Sequence, residues 1–118
     1  LEGSFSLLIF EVTNFDAIRK HMGPEKTAVL MEELERLTRN GLRRQADMTI
    51  EDTREILVVL PATGRKYAAV AAKRIQAMMT TFLSKQKFGE EVEVIHRMAT
   101  FPLDGETQEK LLAKVGIA

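Results

Sequence analysis

Two short segments of this chain are apolar on both alternations of a strand, and they restrict its possible folds more than any other feature. Phe5 to Val12 reads Phe-Ser-Leu-Leu-Ile-Phe-Glu-Val, and Ile56 to Leu60 reads Ile-Leu-Val-Val-Leu. Successive strand side chains point to opposite faces of a sheet, so runs of this kind need cover on both sides. Leaving either face of the second run in water would expose aliphatic side chains worth roughly 1.5–3 kcal/mol each. Both segments are therefore expected as internal strands. Glu11 is the odd residue near the end of the first, and Pro61 stops the second.

Around these strands the pattern is helical. Asn14 offers an N-cap for a short helix from Phe15 to about Met22, closed by Gly23 with Pro24 just beyond. From Glu25 to about Arg44, Leu30, Leu34, Leu37 and Gly41 recur at helical steps and predict one buried stripe. Glu32 with Arg36 and Glu35 with Arg39 lie four apart on the outer face. Met48 to Ile50 and Glu55 to Leu60 predict two strands joined as a hairpin through Glu51-Asp52-Thr53-Arg54. A helix from about Arg65 to Phe82 carries Tyr67, Ala71, Ile75, Met78 and Phe82 along one face, and Gly89 opens a strand region running to Phe101. Pro102-Leu103-Asp104-Gly105 is a turn, after which Thr107 can cap a last helix bearing Leu111, Leu112 and Val115. The order predicts an α+β, ferredoxin-like plan: a mixed, mostly antiparallel sheet with helices packed against it.

Composition narrows the functional classes. The 118 residues, 45% of them apolar, suit one domain over 1–118, and the abrupt ends suggest a piece excised from a longer protein. Seventeen acidic and seventeen basic side chains cancel, which argues against a module that binds nucleic acid by bulk charge. The absence of cysteine excludes disulfides and thiolate metal sites. No apolar run approaches the ~20 residues that span a bilayer. The expectation is a cytoplasmic domain with no membrane insertion and no nucleic-acid partner.

Three stretches carry a resemblance to a known family. Phe10-Glu11-Val12-Thr13-Asn14-Phe15-Asp16-Ala17-Ile18 followed by Gly23 resembles the opening signature of GGDEF domains, the nucleotidyl cyclase-like domains of diguanylate cyclases. Ile56-Leu57-Val58-Val59-Leu60-Pro61 resembles the strand that starts at the last residue of the GGDEF motif. Ala99-Thr100-Phe101-Pro102, Asp104-Gly105 and Leu111-Leu112-Ala113 resemble the C-terminal segment of that family, so the likeness covers nearly the whole chain.

The resemblance implies a degenerate member. The five-residue signature falls on Asp52, Thr53, Arg54, Glu55 and Ile56, with both glycines gone. In active members those glycines let the hairpin backbone approach the triphosphate, which a Cβ obstructs. Arg54 stands where the family has a metal-holding acid, and a guanidinium cannot supply the oxygen donors that Mg²⁺ requires. Upstream, Glu11 keeps the first metal-binding acid, whereas Thr13 replaces the second. The two guanine-reading positions fall on Arg19 and Ala28, which cannot reproduce the contacts of an Asn and an Asp. Cyclase chemistry needs metal ions bridging the phosphates, so the resemblance implies no catalytic residues, no metal and no cofactor.

A second site of that family, an Arg-x-x-Asp motif that binds the product, has a counterpart in Arg44-Gln45-Ala46-Asp47, with Arg74 on the following helix. Arg44 would fork onto a guanine edge or phosphate, Asp47 would accept from guanine, and Arg74 would add a cation or stack on a base. Four residues rather than five separate Asp47 from Asp52, so the hairpin is one shorter than the family pattern. Two functional readings stay open: a non-catalytic regulatory domain binding cyclic di-GMP at Arg44, Asp47 and Arg74, or a nucleotide-independent dimerisation or interaction module. Either would act on neighbouring domains of the parent protein, as a homodimer in one version. Residual nucleotide binding through Glu11 and Glu55 is a weaker third. His21 and His96 lack ligand company for a metal, and the strands lack the surface aromatics that RNA stacking requires.

Overall fold

The computed structural model describes residues 3–42, 54–88 and 91–116, together with the backbone of 47–51. Four strands, β1 (Phe5–Val12), β2 (Asp47–Glu51), β3 (Glu55–Pro61) and β4 (Val94–Phe101), form one sheet in the order β2-β3-β1-β4. Every pairing is antiparallel. The helices are α1 (Phe15–Met22), α2 (Pro24–Gly41), α3 (Arg65–Ser84) and α4 (Gln108–Lys114). This is the expected α+β, ferredoxin-like order, with β1 and β3 internal as their two-sided apolar runs require.

The two faces of the sheet build two cores. Leu8, Phe10 and Val12 of β1, with Ile56, Val58 and Leu60 of β3, meet Ile18, Leu30, Leu34, Ala72, Ile75 and Met79 from α1, α2 and α3. On the opposite face, Leu7, Ile9 and Ala99 pack under Leu111 and Val115 at α4. The second core is the smaller because α4 has only seven residues. Leu57 and Val59 of β3 are therefore only half covered, although their alternation is as apolar as its opposite. With Phe5, Leu7, Phe101 and Leu112 they line an open groove of about 470 Å³ beside α4.

Local chemistry sets the helix ends. Gly23 takes φ 86°, which a side chain resists, and Pro24 occupies the first turn of α2, where its missing N–H costs nothing. Thr38 is buried inside α2 because its hydroxyl donates to the Leu34 carbonyl at 2.8 Å. Thr107 caps α4, its hydroxyl accepting from the Lys110 N–H at 3.2 Å. Between β4 and α4, Asp104 accepts from the Thr100 N–H at 2.8 Å and pairs with Arg65 at 2.6 Å, tying the turn to the start of α3.

Four local expectations are corrected. Asn14 makes no side-chain cap; it adopts the left-handed conformation and donates through Nδ2 to the Glu91 carbonyl at 2.7 Å. Arg36 pairs with Glu33 at 2.6 Å, one turn position nearer than Glu32. The helix expected to reach Arg44 ends at Gly41, and Leu42 is already extended. The buried stripe of α3 is Ala68, Ala71, Ala72, Ile75, Met79 and Leu83, rotated from the predicted Tyr67, Met78 and Phe82. Small residues take the seam because α2 comes close: a Cβ on Gly41 would stand 2.8 Å from Ile75 Cγ1.

Candidate functional site

The acidic end of the sheet is built by register. Glu11 of β1 lies directly opposite Glu55 of β3, and Glu55 in turn lies opposite Glu51 of β2. Like charges directly across an antiparallel pair repel, so the arrangement calls for a cation. Arg97 supplies it from β4, two positions along from Ile95, the residue that pairs with Glu11. Its guanidinium donates through Nη1 to Glu11 Oε1 and through Nη2 to Glu55 Oε2, both at 2.7 Å. The third arm, Nε, donates to the Val115 carbonyl at the end of α4, at 2.8 Å. Each side chain is 30% exposed or less. The hydrogen bond to Glu11, joined by the one to Glu55, outweighs partial burial and holds the Arg97 pKa above its ordinary value. The guanidinium is thus a fixed charge.

Arg54 occupies the turn before β3. Its Nη2 reaches Asp16 Oδ1 at 3.4 Å, and its guanidinium carbon lies 5.3 Å from the centroid of the Phe15 ring. Its Nε is enclosed with no hydrogen-bond partner among the described residues. Thr13 is engaged with the segment before β4: its hydroxyl accepts from the Glu93 N–H at 3.0 Å and its N–H donates to the Glu93 carbonyl at 2.8 Å. Ile56 is 1% exposed and belongs to the larger core. Asp52 and Thr53 lie outside the described residues.

A divalent ion does not suit this donor set. Both glutamates already carry a guanidinium, Arg54 stands in the turn before β3, and the Thr13 hydroxyl is held by the Glu93 backbone. Mg²⁺ demands near-octahedral oxygen donors and tolerates no cation among its ligands. Among the described residues no group of three or more His, Asp or Glu side chains could hold a metal. Arg19 and Lys20, with Asp16 and Pro24, edge an open depression, and Ala28 is exposed.

Of the expected second site, Arg44 lies outside the described residues and Asp47 opens β2, its backbone opposite Val59. Arg74 projects from α3 to the end of α2, donating through both Nε and Nη2 to the Gly41 carbonyl at 2.9 and 2.7 Å. It satisfies an orphan carbonyl of the helix terminus, at a residue that precedes Arg44 in the sequence. The residue that sequence reasoning missed is Arg97. Nothing in the sequence alone pointed to it, because Glu11 and Glu55 face each other only once β1 has paired with β3. Finding it needed the β1–β4 register.

His96 lies on the helix-covered face. Its Nδ1–H donates to Gln76 Oε1 of α3, and its ring is 6.2 Å from Phe10, centroid to centroid. Burial first, and the nearby Lys73 ammonium second, lower its pKa from the ordinary value of 6.5. The unfolded chain then takes up the proton before the folded one does. Stability is therefore full at neutral and higher pH, and falls as pH drops below about 6.5, the unfolded value. Urea titrations at pH 7.5 and 5.5 should show this loss, and His96→Gln should flatten the dependence. An unchanged slope in His96→Gln would contradict the assignment.

The sequence matches no protein-family model and no curated protein. Solved structures are similar. The active GGEEF domain of a diguanylate cyclase from Vibrio cholerae aligns at a TM-score of 0.78 and 14% identity, over 95% of this chain and 71% of that one. The GGDEF domain of DgcB from Caulobacter crescentus, in complex with c-di-GMP, aligns at 0.77 and 9% identity, over 95% and 67%. The diguanylate cyclase SiaD from Pseudomonas aeruginosa, in complex with its activator SiaC, aligns at 0.77 and 20% identity, over 95% of this chain and 43% of that one. The chain has the α+β fold of GGDEF domains, as the three stretches of resemblance implied. No helix among the described residues is long and apolar enough to cross a membrane.

Proposed function

We propose that this chain is a degenerate GGDEF-like domain that has lost cyclase activity and works as a regulatory module, reading cyclic di-GMP through Arg44, Asp47 and Arg74. The observation that carries the loss of activity is the Arg97 guanidinium, bonded at 2.7 Å to each of the two surviving acidic positions. Metal-assisted attack of a 3′-hydroxyl on a triphosphate requires carboxylate oxygens free to bind the metal. Here they neutralise an arginine instead. The absent glycines of the hairpin and the Arg54 side chain act in the same direction.

The ligand reading rests on the Arg-x-x-Asp spacing and on the placement of Arg74. Its anchoring at Gly41 keeps a guanidinium at the end of α2, the helix that precedes β2 in the sequence. The similar DgcB domain was solved with c-di-GMP bound, which fits a ligand of that class. Regulation supposes further domains in the parent protein, and the cytoplasm is the compartment expected for them. The match to less than half of SiaD agrees with a domain used inside longer chains.

One observation favours a second reading, a nucleotide-independent interaction or homodimer module: the apolar groove beside α4 leaves Leu57 and Val59 half covered. The similar SiaD structure holds a protein activator. Calorimetry separates the two. Cyclic di-GMP should release heat with the wild type and bind at least about tenfold more weakly to Arg44→Ala and Asp47→Ala, since a charged hydrogen bond contributes about 1.5–3 kcal/mol. No heat at high protein concentration overturns the ligand reading. A mass that then rises with concentration by light scattering supports the second.

A further inference from the structure

We propose that this domain has exchanged an external divalent cation for a built-in one: Arg97 is the resident cation of the carboxylate site, and it is what keeps metal ions out. The inference rests on reading the site as a converted metal centre, and extends it to the cation site that Arg97 conceals.

Three observations converge on Arg97. Register forces Glu11 and Glu55 face to face and sets Glu51 level with them on the next strand, so the sheet end concentrates acidic residues that need positive charge nearby. The guanidinium meets oxygens on three different elements, namely Glu11 Oε1 on β1, Glu55 Oε2 on β3 and the Val115 carbonyl after α4. An all-oxygen set drawn from carboxylates and a carbonyl is the donor chemistry of a hard divalent ion. Finally, backbone packs against the guanidinium: a Cβ on Gly116, just after α4, would stand 3.1 Å from Arg97 Nε. A surface salt bridge between mobile side chains would show none of this convergence. An arginine is always charged and is tethered to the site, so a diffusing ion must compete with its high effective concentration.

Removing Arg97 should therefore uncover a cation site. The test uses the whole chain, wild type and Arg97→Ser, titrated with MnCl₂. Bound Mn²⁺ is read from loss of the free-ion EPR signal, and stability is read from thermal melts. Wild type is expected to leave the signal and its melting temperature unchanged. Arg97→Ser should bind Mn²⁺ at least about tenfold more tightly than wild type and regain melting temperature as Mn²⁺ is added, because a ligand that binds only the folded state stabilises it. Adding Glu11→Gln to that variant should abolish both effects. A folded Arg97→Ser with no better Mn²⁺ binding than wild type overturns the proposal, as does wild type binding Mn²⁺ equally well.

Should Arg97→Ser fail to fold even with Mn²⁺, the wild type still decides. Its Arg97 Nε–H resonance should remain sharp under Mn²⁺, and broadening at submillimolar ion would place metal at the carboxylates and sink the idea. Failure here is distinct from failure of the inactive reading, because Arg54 and Thr13 remain in every variant and no turnover is required of any of them.

Discussion

Arg97→Ala is expected to lower the unfolding free energy by about 2–3 kcal/mol, a drop of about 10 °C in a chain of this size. The variant loses two charged hydrogen bonds and the tie to the Val115 carbonyl, and it leaves Glu11 and Glu55 facing each other without a counter-charge. Breaking a fully buried pair costs about 3–5 kcal/mol, and partial exposure of all three side chains brings the expectation below that. The penalty should be non-additive in a diagnostic way. Glu11→Gln in the Arg97→Ala background should recover part of the loss, whereas Glu11→Gln alone should destabilise. Urea titrations of the four proteins complete the cycle. A change smaller than about 0.5 kcal/mol for Arg97→Ala would mark the contact as ordinary surface pairing.

Phe10→Ala should cost more, about 3–5 kcal/mol, and could leave the domain unfolded at 37 °C given that total stability in such domains is about 5–15 kcal/mol. Phe10 sits on β1, 1% exposed, level with Ile56 on one side and His96 on the other. Its ring lies between the sheet and the three-helix layer, so no neighbour can relax far enough to fill the space. Phe10→Leu, which keeps most of the volume, should be much milder. Equal losses for the two variants in urea would contradict this account of the core.

The fold was readable from residues whose constraint is local. The two-sided apolar runs of β1 and β3 could only be internal strands, and Thr107 announced α4 through ordinary capping chemistry. The errors lie where a distant partner decides. Asn14 has the chemistry of an N-cap, yet the Glu91 carbonyl, far along the chain, claims its amide. Gly41 reads as one more position in the stripe of α2, but the reason it must be small is Ile75 on another helix.

The candidate site divides in the same way. That the resemblance sets Arg54 where the family has an acid, and finds neither glycine of its hairpin, can be seen in the sequence alone. The decisive arginine cannot, because Arg97 meets Glu11 and Glu55 only after β1 has paired with both β3 and β4, bringing together residues 86 and 42 positions apart. Charge composition hides it as well: seventeen acids and seventeen bases sum to zero whether or not three of them share one site.

If Arg97 has taken the place of a metal ion, the acidic end of this sheet no longer serves a nucleoside triphosphate. Wild-type protein incubated at high concentration with GTP and either Mg²⁺ or Mn²⁺, then resolved by chromatography, should return GTP alone. Cyclic di-GMP or its linear precursor rising in proportion to protein would contradict it.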